Sequence, residues 1–146
     1  MPHLSLPIGA GGPVLEFFVG VSQPRADALK RGGQPVPAAI LVRGLIDTGA
    51  SITSVDPSIL RALGIVSTGT ASVHTPSTKC GQPHTANLFD ISLVLQHPMV
   101  NRTWFGVPVI EAELIHQGIH ALIGRDILSF CLLTYDGQTQ TFCLGF

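Results

Sequence analysis

The sequence contains few charged residues and no broad excess of either sign. Asp, Glu, Lys and Arg together make up 12% of its 146 residues, whereas roughly a quarter is usual in soluble proteins. The formal net charge is −1, and the eight Lys and Arg residues are scattered along the chain. Because proteins that bind nucleic acids present clustered basic surfaces, this composition argues against nucleic acid as a partner.

Long apolar runs are also missing from the sequence. The best candidate, residues 36–46, is interrupted by Pro37 and Arg43, whereas a helix that spans a bilayer needs about 20 apolar residues. The N-terminus lacks a basic segment followed by an unbroken apolar one, so a cleaved signal peptide is not expected either. We therefore expect a soluble, cytoplasmic protein that does not associate with membranes.

Cysteine is scarce and shows no metal-binding spacing. Cys80, Cys131 and Cys143 form an odd set without a CxxC pair, which argues against a disulfide framework or a structural zinc site and favours reduced thiols. His116 and His120 have the i, i+4 spacing of some helical zinc sites, but a glycine lies between them and no HExxH motif is present. Neither a metal nor another cofactor is predicted, and the absence of GxSxG argues against a serine hydrolase.

What the sequence does contain is a set of short apolar runs punctuated by eleven prolines and sixteen glycines. The β-branched and aromatic residues in these runs favour strands over helices. The length suits one domain over residues 1–146, and the 45% hydrophobic content is consistent with a buried subunit interface. The predicted strands are residues 14–21, 38–46, 52–55, 70–74, 86–95, 103–112 and 121–123.

Two short helices interrupt this mostly β pattern. Residues 56–64 begin with Asp-Pro and end with Gly, which is the arrangement of an N-cap, a proline in the first turn and a terminating glycine. A second helix of one or two turns is predicted within residues 125–130. The segment 23–35 is interpreted as a polar loop.

The C-terminal segment is predicted to form a hairpin. Residues 131–135 regain strand character, Asp136-Gly137 turns the chain, and residues 139–146 return. A three-residue loop would place Cys131 opposite Cys143, and a two-residue loop would place it opposite Phe142, so the register stays open. Four apolar side chains of this segment are candidates for either a subunit interface or the ordinary core: Leu132, Phe142, Leu144 and Phe146.

The segment with the clearest chemical character is residues 45–51, Leu-Ile-Asp-Thr-Gly-Ala-Ser. Its apolar start predicts a buried strand that delivers the Asp47 carboxylate to a tight loop. Gly49 permits close backbone approach, and Thr48 can form hydrogen bonds within the loop. The alternative interpretation is an ordinary turn in which the aspartate caps local backbone.

This segment resembles the signature of the retropepsin-like aspartic proteases, in which two hydrophobic residues precede Asp-Thr/Ser-Gly-Ala/Ser. A second family feature, a hydrophobic pair and glycine ahead of a short helix, matches residues 121–128, Ala-Leu-Ile-Gly-Arg-Asp-Ile-Leu. Ser51 stands where many retroviral members carry aspartate, so cellular and bacterial members are the better analogy. For Arg125 and Asp126 themselves, we favour simple helix-start chemistry.

The resemblance implies a closed, mostly β barrel with one or two short helices, a flap hairpin and a C-terminal interface hairpin. Because the sequence has a single Asp-Thr-Gly motif, it also implies a homodimer in which two copies of Asp47 activate water for peptide hydrolysis. Thr48 would form a hydrogen bond across the dimer. The implied active-site loop and substrate-backbone contacts are Thr48, Gly49, Ala50 and Ser51.

The resemblance further implies that residues 70–85 form the flap, which closes over an extended polypeptide substrate. Residues near the tip of this flap are Thr75, Pro76, Ser77 and Thr78. The resulting hypothesis is an aspartic endopeptidase. The alternative is a binding or dimerisation module that shares the fold but has little or no proteolytic activity.

Overall fold

The computed structural model describes residues 1–74 and 82–146. Over these residues strands predominate, as the sequence predicts. The strands are β1 (His3–Pro7), β2 (Val14–Val21), β3 (Ile40–Ile46), β4 (Ser54–Val55), β5 (Gly69–Val73), β6 (His84–Leu95), β7 (Arg102–Glu111), β8 (Ala121–Ile123), β9 (Leu132–Asp136) and β10 (Thr141–Gly145). The helices are α1 (Gln23–Arg31), α2 (Pro57–Ala62) and α3 (Arg125–Leu128), with a 3-10 turn at Ile115–Gln117.

Six of the strands close into a barrel. Hydrogen bonding connects them in the order β2-β3-β8-β4-β7-β6, and a further pairing between β6 and β2 completes the circle. Strand β5 extends the sheet beyond β6. This arrangement confirms the predicted closed β-barrel, and it places β8 between β3 and β4, the two strands that flank the Asp-Thr-Gly loop.

Alternating side chains fill the interior of the barrel. In β2, Leu15, Phe17 and Val19 are buried. Glu16, between Leu15 and Phe17, is exposed, as expected for a strand with one face toward the core. Strand β6 alternates in the same way through Ile91, Leu93 and Leu95. Burying each such side chain contributes about 1.5–3 kcal/mol, so this alternation fixes which face of each strand points inward.

The chain termini form a second, three-stranded sheet in the order β1-β10-β9. Strand β1 is absent from the sequence-based assignment, although its alternating His-Leu-Ser-Leu-Pro pattern is a strand signal. Both predicted hairpin registers are wrong, because Thr134 lies opposite Cys143 and the loop between β9 and β10 has four residues. The carboxylate of Asp136 accepts hydrogen bonds from the N–H groups of Gln138 and Thr139 and so stabilises this longer loop.

The predicted polar loop at residues 23–35 is largely a helix, α1. Pro24 lies in the first turn, where its missing N–H does not interrupt the helical hydrogen bonds. Ala26 and Leu29 form a small buried stripe, and Lys30 and Arg31 place positive charge in the last turn, where it interacts favourably with the helix dipole. None of the helices within the described segments is long and apolar enough to cross a bilayer.

Helix α2 confirms the predicted Asp-Pro start, and its N-cap residue also has a wider role. The Asp56 carboxylate is 3% exposed and accepts hydrogen bonds from the backbone N–H and hydroxyl of Ser58 at 2.9 and 2.6 Å. It also accepts from the N–H groups of Leu114 and Ile115 at 2.8 and 2.9 Å. Burial by itself raises the pKa of Asp56, but these hydrogen bonds together outweigh it and hold the pKa well below its usual range.

Replacing Asp56 with alanine is expected to lower the free energy of unfolding by about 3 kcal/mol, because the helix loses its cap and buried N–H groups lose their acceptor. The Asp56→Asn variant keeps one acceptor oxygen and should lose less. Since the pKa is lowered on folding, the stabilisation is complete above about pH 3.9 and declines as the pH falls below that value. Urea unfolding at neutral and acidic pH measures both effects, and equal stability of wild type and Asp56→Ala would contradict them.

Candidate active site

Asp47 follows directly after β3, at the point where the paired strands β3 and β8 end. These two strands run parallel, with Ile46 beside Ile123, and the backbone N–H of Asp47 donates to the carbonyl of Ile123 at 3.0 Å. The loop therefore starts from a fixed position at the edge of the barrel. Both strands are buried at this point, while Asp47 is half-buried and Thr48 and Gly49 are exposed.

Asp47 accepts two hydrogen bonds within the loop, one at its carboxylate and one at its backbone carbonyl. The N–H of Gly49 donates to Oδ1 of Asp47 at 2.9 Å, and the N–H of Ala50 donates to the Asp47 carbonyl at 3.2 Å. A Cβ atom on residue 49 would lie 3.1 Å from the same Oδ1, so glycine permits the close approach. Within the described residues, Oδ2 has no hydrogen-bond partner, which leaves one carboxylate oxygen available for water or a second acid.

Helix α3 lies against the outer side of this loop and contacts it through Arg125. One guanidinium nitrogen, Nη1, donates to the carbonyls of Thr48 at 2.8 Å and Gly49 at 3.2 Å. The backbone N–H of Arg125 donates to the carbonyl of Ala50 at 2.9 Å. The favoured interpretation of Arg125 as helix-start chemistry is therefore incomplete, because its side chain binds the Asp47 loop.

Asp126 connects α3 to the far end of the same loop. Its carboxylate accepts from the backbone N–H of Thr53 at 2.9 Å and from the Thr53 hydroxyl at 2.7 Å. It also accepts from the N–H of Ile127 at 2.9 Å, which is the predicted helix-start role. The hydroxyl oxygen of Thr53 in turn accepts a hydrogen bond from the N–H of Gly124 at 3.1 Å. Residues 47–53 are thus held at both ends.

The fold is similar to that of a known protein. Over 99% of the chain and 90% of the other protein, the structure is similar to a crystal structure of a retropepsin-like aspartic protease from Rickettsia conorii, with a TM-score of 0.58 and 15% sequence identity. The chain has a retropepsin-like fold. No family model matches the sequence, and no curated protein matches it.

Within the retropepsin-like fold, the candidate flap corresponds to the hairpin of β5 and β6. These strands pair from Gly69 opposite Leu88 to Val73 opposite His84, which confirms a hairpin where residues 70–85 predict one. Its role as a flap stays a prediction. The predicted tip residues Thr75, Pro76, Ser77 and Thr78 lie outside the described residues.

The remaining predicted loop residues are close to Asp47 in the structure. Ala50 is half-buried and fixed through both its N–H and its carbonyl, whereas Ser51 is exposed. The predicted cross-dimer bond of Thr48 and the substrate contacts of the loop stay predictions. Thr53 is fully buried, and the sequence analysis does not include it among the site residues. The available signal was its position, because it is a polar residue between the loop and the buried strand β4.

His120 lies at the opposite end of β8 from the loop and is engaged with the backbone. Its Nδ1 accepts the N–H of Arg43 at 3.1 Å, and its own N–H donates to the Arg43 carbonyl at 2.8 Å. These two hydrogen bonds join His120 to β3. In the parts of the chain that the structure describes, no group of three His, Cys, Asp or Glu side chains is placed to hold a metal ion.

Surface depressions in the described chain lie away from the loop. One is lined by apolar residues of β1, β2 and β3, including Leu4, Leu6 and Val14. A neighbouring one is lined by the glycines at residues 9–12 together with Arg43. Neither of these two depressions includes Asp47 among its lining residues.

Gly124 is required by the close packing between α3 and the Asp47 loop. A Cβ at this position would lie 2.7 Å from the backbone carbon and 2.9 Å from the backbone oxygen of Ile52. We expect Gly124→Ala to lower the free energy of unfolding by at least about 2 kcal/mol, since backbone atoms cannot move aside easily. Gly11→Ala is the matched control, because its Cβ would meet nothing within 4 Å. Urea unfolding midpoints measure the difference, and equal midpoints would contradict the account.

Proposed function

We propose that the chain is an aspartic endopeptidase, in which water activated between two Asp47 carboxylates of a homodimer hydrolyses a peptide bond. The observation that carries this proposal is the geometry of Asp47. One carboxylate oxygen is held by Gly49 N–H at 2.9 Å, and the other has no hydrogen-bond partner among residues 1–74 and 82–146. The fold that holds this carboxylate is shared with a retropepsin-like aspartic protease. Such a carboxylate is oriented and can still exchange a proton.

A second copy of the chain supplies the second acid. The sequence has a single Asp-Thr-Gly motif, whereas the reaction needs a base for the water and an acid for the carbonyl oxygen. Two carboxylates that meet at a two-fold axis cannot both ionise easily, so they share one proton. The homodimer is therefore part of the proposed active site.

The proposed reaction follows from this shared proton. The ionised Asp47 accepts a proton from a bound water as the water oxygen attacks the carbonyl carbon of the substrate. The protonated Asp47 of the other subunit donates its hydrogen bond to the carbonyl oxygen as negative charge develops there. Collapse of the tetrahedral intermediate then breaks the C–N bond. The leaving nitrogen receives the proton that Asp47 took from the water, which returns the pair to one ionised and one protonated carboxyl group. This route uses no metal, cofactor or covalent intermediate.

The proposed substrate is a polypeptide in extended conformation. An extended chain presents its backbone N–H and C=O groups to both the Asp47 loop and the overlying β5–β6 hairpin, as in binding by strand addition. The exposed Thr48 and Gly49 offer backbone groups on the loop side. Side-chain preference would then arise from pockets that both subunits line.

The surface proposed for dimerisation is the free edge of the terminal sheet. Strand β9 pairs only with β10 among the described strands, and Leu132 and Tyr135 on it are 62% and 57% exposed. Phe130, just before β9, is 59% exposed. This apolar edge follows α3 in the chain, and α3 contacts the Asp47 loop through Arg125. Of the other interface candidates, Phe142 and Leu144 are buried in the core of the chain, and Phe146 is partly buried against that core.

The experiment that tests this function incubates the chain with a reduced, unfolded protein at mildly acidic pH. New amino termini are counted for the wild type and for Asp47→Asn. Cleavage by the wild type alone supports the proposal, and equal cleavage by both proteins would overturn it. An intact dimer with no cleavage in any tested condition would instead leave the binding-module alternative.

A further inference from the structure

Arg125 contacts three consecutive carbonyl groups of the Asp47 loop. Its Nη1 donates to Thr48 and Gly49, and its backbone N–H donates to Ala50. One residue thus binds the carbonyl groups of the three residues that follow Asp47 in the loop. The side chain itself is exposed, so these contacts and not burial determine where the guanidinium lies.

The position of Arg125 in its own helix gives no reason for a cation. It is the first residue of α3, where the positive end of the helix dipole disfavours positive charge. Helix α3 has only four residues, and the acid in its first turn is Asp126. The placement of the arginine is therefore better explained by the carbonyl groups that it binds than by helix formation.

These contacts reach the Asp47 carboxylate through the peptide planes. The carbonyl of Thr48 and the N–H of Gly49 belong to one planar trans unit and point in opposite directions. Holding the Thr48 carbonyl toward Arg125 thus directs the Gly49 N–H toward Oδ1 of Asp47, where it donates at 2.9 Å. In the next unit, holding the Gly49 carbonyl directs the Ala50 N–H toward the Asp47 carbonyl.

We propose that Arg125 is a positioning residue. It sets the orientation of the Asp47 carboxylate by fixing two peptide units, the one between Thr48 and Gly49 and the one between Gly49 and Ala50. The proposal rests on the proposed function for its catalytic consequence. Among the described residues, every hydrogen bond that Arg125 donates goes to the loop. Its proposed effect on the substrate and the reacting atoms therefore passes through Asp47. Removing the side chain should lower kcat of the proposed peptidase and leave KM nearly unchanged.

The direct test is amide hydrogen exchange of Gly49 and Ala50, measured by NMR in Arg125→Met and Arg125→Lys. Methionine fills similar space without a donor, and it keeps the backbone bond to Ala50. Exchange at both amides should rise by at least about tenfold in Arg125→Met, because each lost hydrogen bond to a charged group loosens the loop. Arg125→Lys keeps the positive charge and a donor group but loses the planar guanidinium. Its amide exchange rates should therefore lie between those of the wild type and those of Arg125→Met.

Arg61→Met is the matched control, because Arg61 is also an exposed arginine on a short helix, α2. Its Gly49 and Ala50 amides should exchange as in the wild type. The Asp47 amide, which donates to Ile123, should stay protected in every variant and so reports a folded barrel. If Arg125→Met fails to fold, the comparison rests on Arg125→Lys, whose exchange must still exceed that of the wild type.

Unchanged exchange at Gly49 and Ala50 in a folded Arg125→Met protein, or in Arg125→Lys if only that variant folds, would overturn the positioning role. This readout needs no proteolysis. An inactive wild type with faster exchange in Arg125→Met would overturn the proposed function and leave the structural role of Arg125 supported. An active wild type with unchanged exchange in Arg125→Met would support the proposed function and overturn the positioning role of Arg125.

Discussion

Asp47→Asn is expected to reduce kcat/KM for peptide hydrolysis by at least about 10³-fold, since the variant loses both the general base and its acidic partner. Asparagine is close in shape to aspartate, and its side-chain oxygen can still accept the Gly49 N–H. The loop should therefore keep its conformation while its chemistry is lost. Initial rates of cleavage of an unfolded protein, measured at equal dimer concentration, give the comparison.

Asp90→Asn is the matched control for this substitution. Asp90 is a partly exposed acid in the part of β6 beyond its pairing with β5, opposite Pro108 of β7. It lies outside both the Asp47 loop and the proposed flap, so the Asp90→Asn variant should be as active as the wild type. Sedimentation should show both variants in the same oligomeric state as the wild type. Undiminished hydrolysis by Asp47→Asn would remove the chemical basis of the proposal.

Leu132→Asp is expected to convert the dimer to monomer and to remove activity with it. Under two-fold symmetry the substitution places two carboxylates in the proposed β9 interface, and an unpaired buried charge costs several kcal/mol. The dimer dissociation constant should therefore rise by at least about a hundredfold. Sedimentation equilibrium measures the dissociation constant. Activity assayed at protein concentrations above and below this constant should follow the fraction of dimer.

Val66→Asp provides the corresponding control. Val66 is 70% exposed and lies after α2, outside the terminal sheet, so the same change of chemistry is placed away from the interface. Both substitutions are at exposed sites and should alter subunit stability by less than about 0.5 kcal/mol. A Leu132→Asp protein that stays dimeric and active would exclude the β9 edge as the interface.

The parts of the fold that the sequence predicts are those controlled by local chemistry. The alternating strands, the Asp-Pro start of α2 and the tight Asp-Thr-Gly loop depend on residues that are neighbours in the chain. Helix α1 was missed because Pro24 and the surrounding polar residues resemble a loop, and its stabilising stripe is only Ala26 and Leu29. A two-residue stripe is too weak a periodic signal to compete with that composition.

Features that depend on distant partners were predicted less well. Strand β1 gains its hydrogen bonds from β10, more than 130 residues later in the chain, so its short pattern carries little weight alone. The hairpin register follows from the Asp136 side chain, which stabilises a four-residue loop. Neither cause can be read from loop length or from the spacing of the cysteines.

The candidate site shows the same division. Asp47 and Gly49 are evident from their motif, whereas the contacts of Arg125 and Asp126 reach back over more than 70 residues to the loop. Sequence proximity suggested that these two side chains serve only their own helix. Parallel pairing of β3 with β8 is what brings the start of α3 against Asp47, and that pairing requires the closed barrel.

The central claim, that one active site contains Asp47 from two subunits, is tested most directly by mixing. Wild type and Asp47→Asn are co-refolded from denaturant in increasing proportions at constant total protein, and hydrolysis is measured. With equal amounts, about one quarter of the dimers carry two aspartates, so activity should fall to about one quarter of the wild-type value. A linear decline, with about half of the activity remaining in the equal mixture, would show that each chain acts independently with its own Asp47 and would contradict the account.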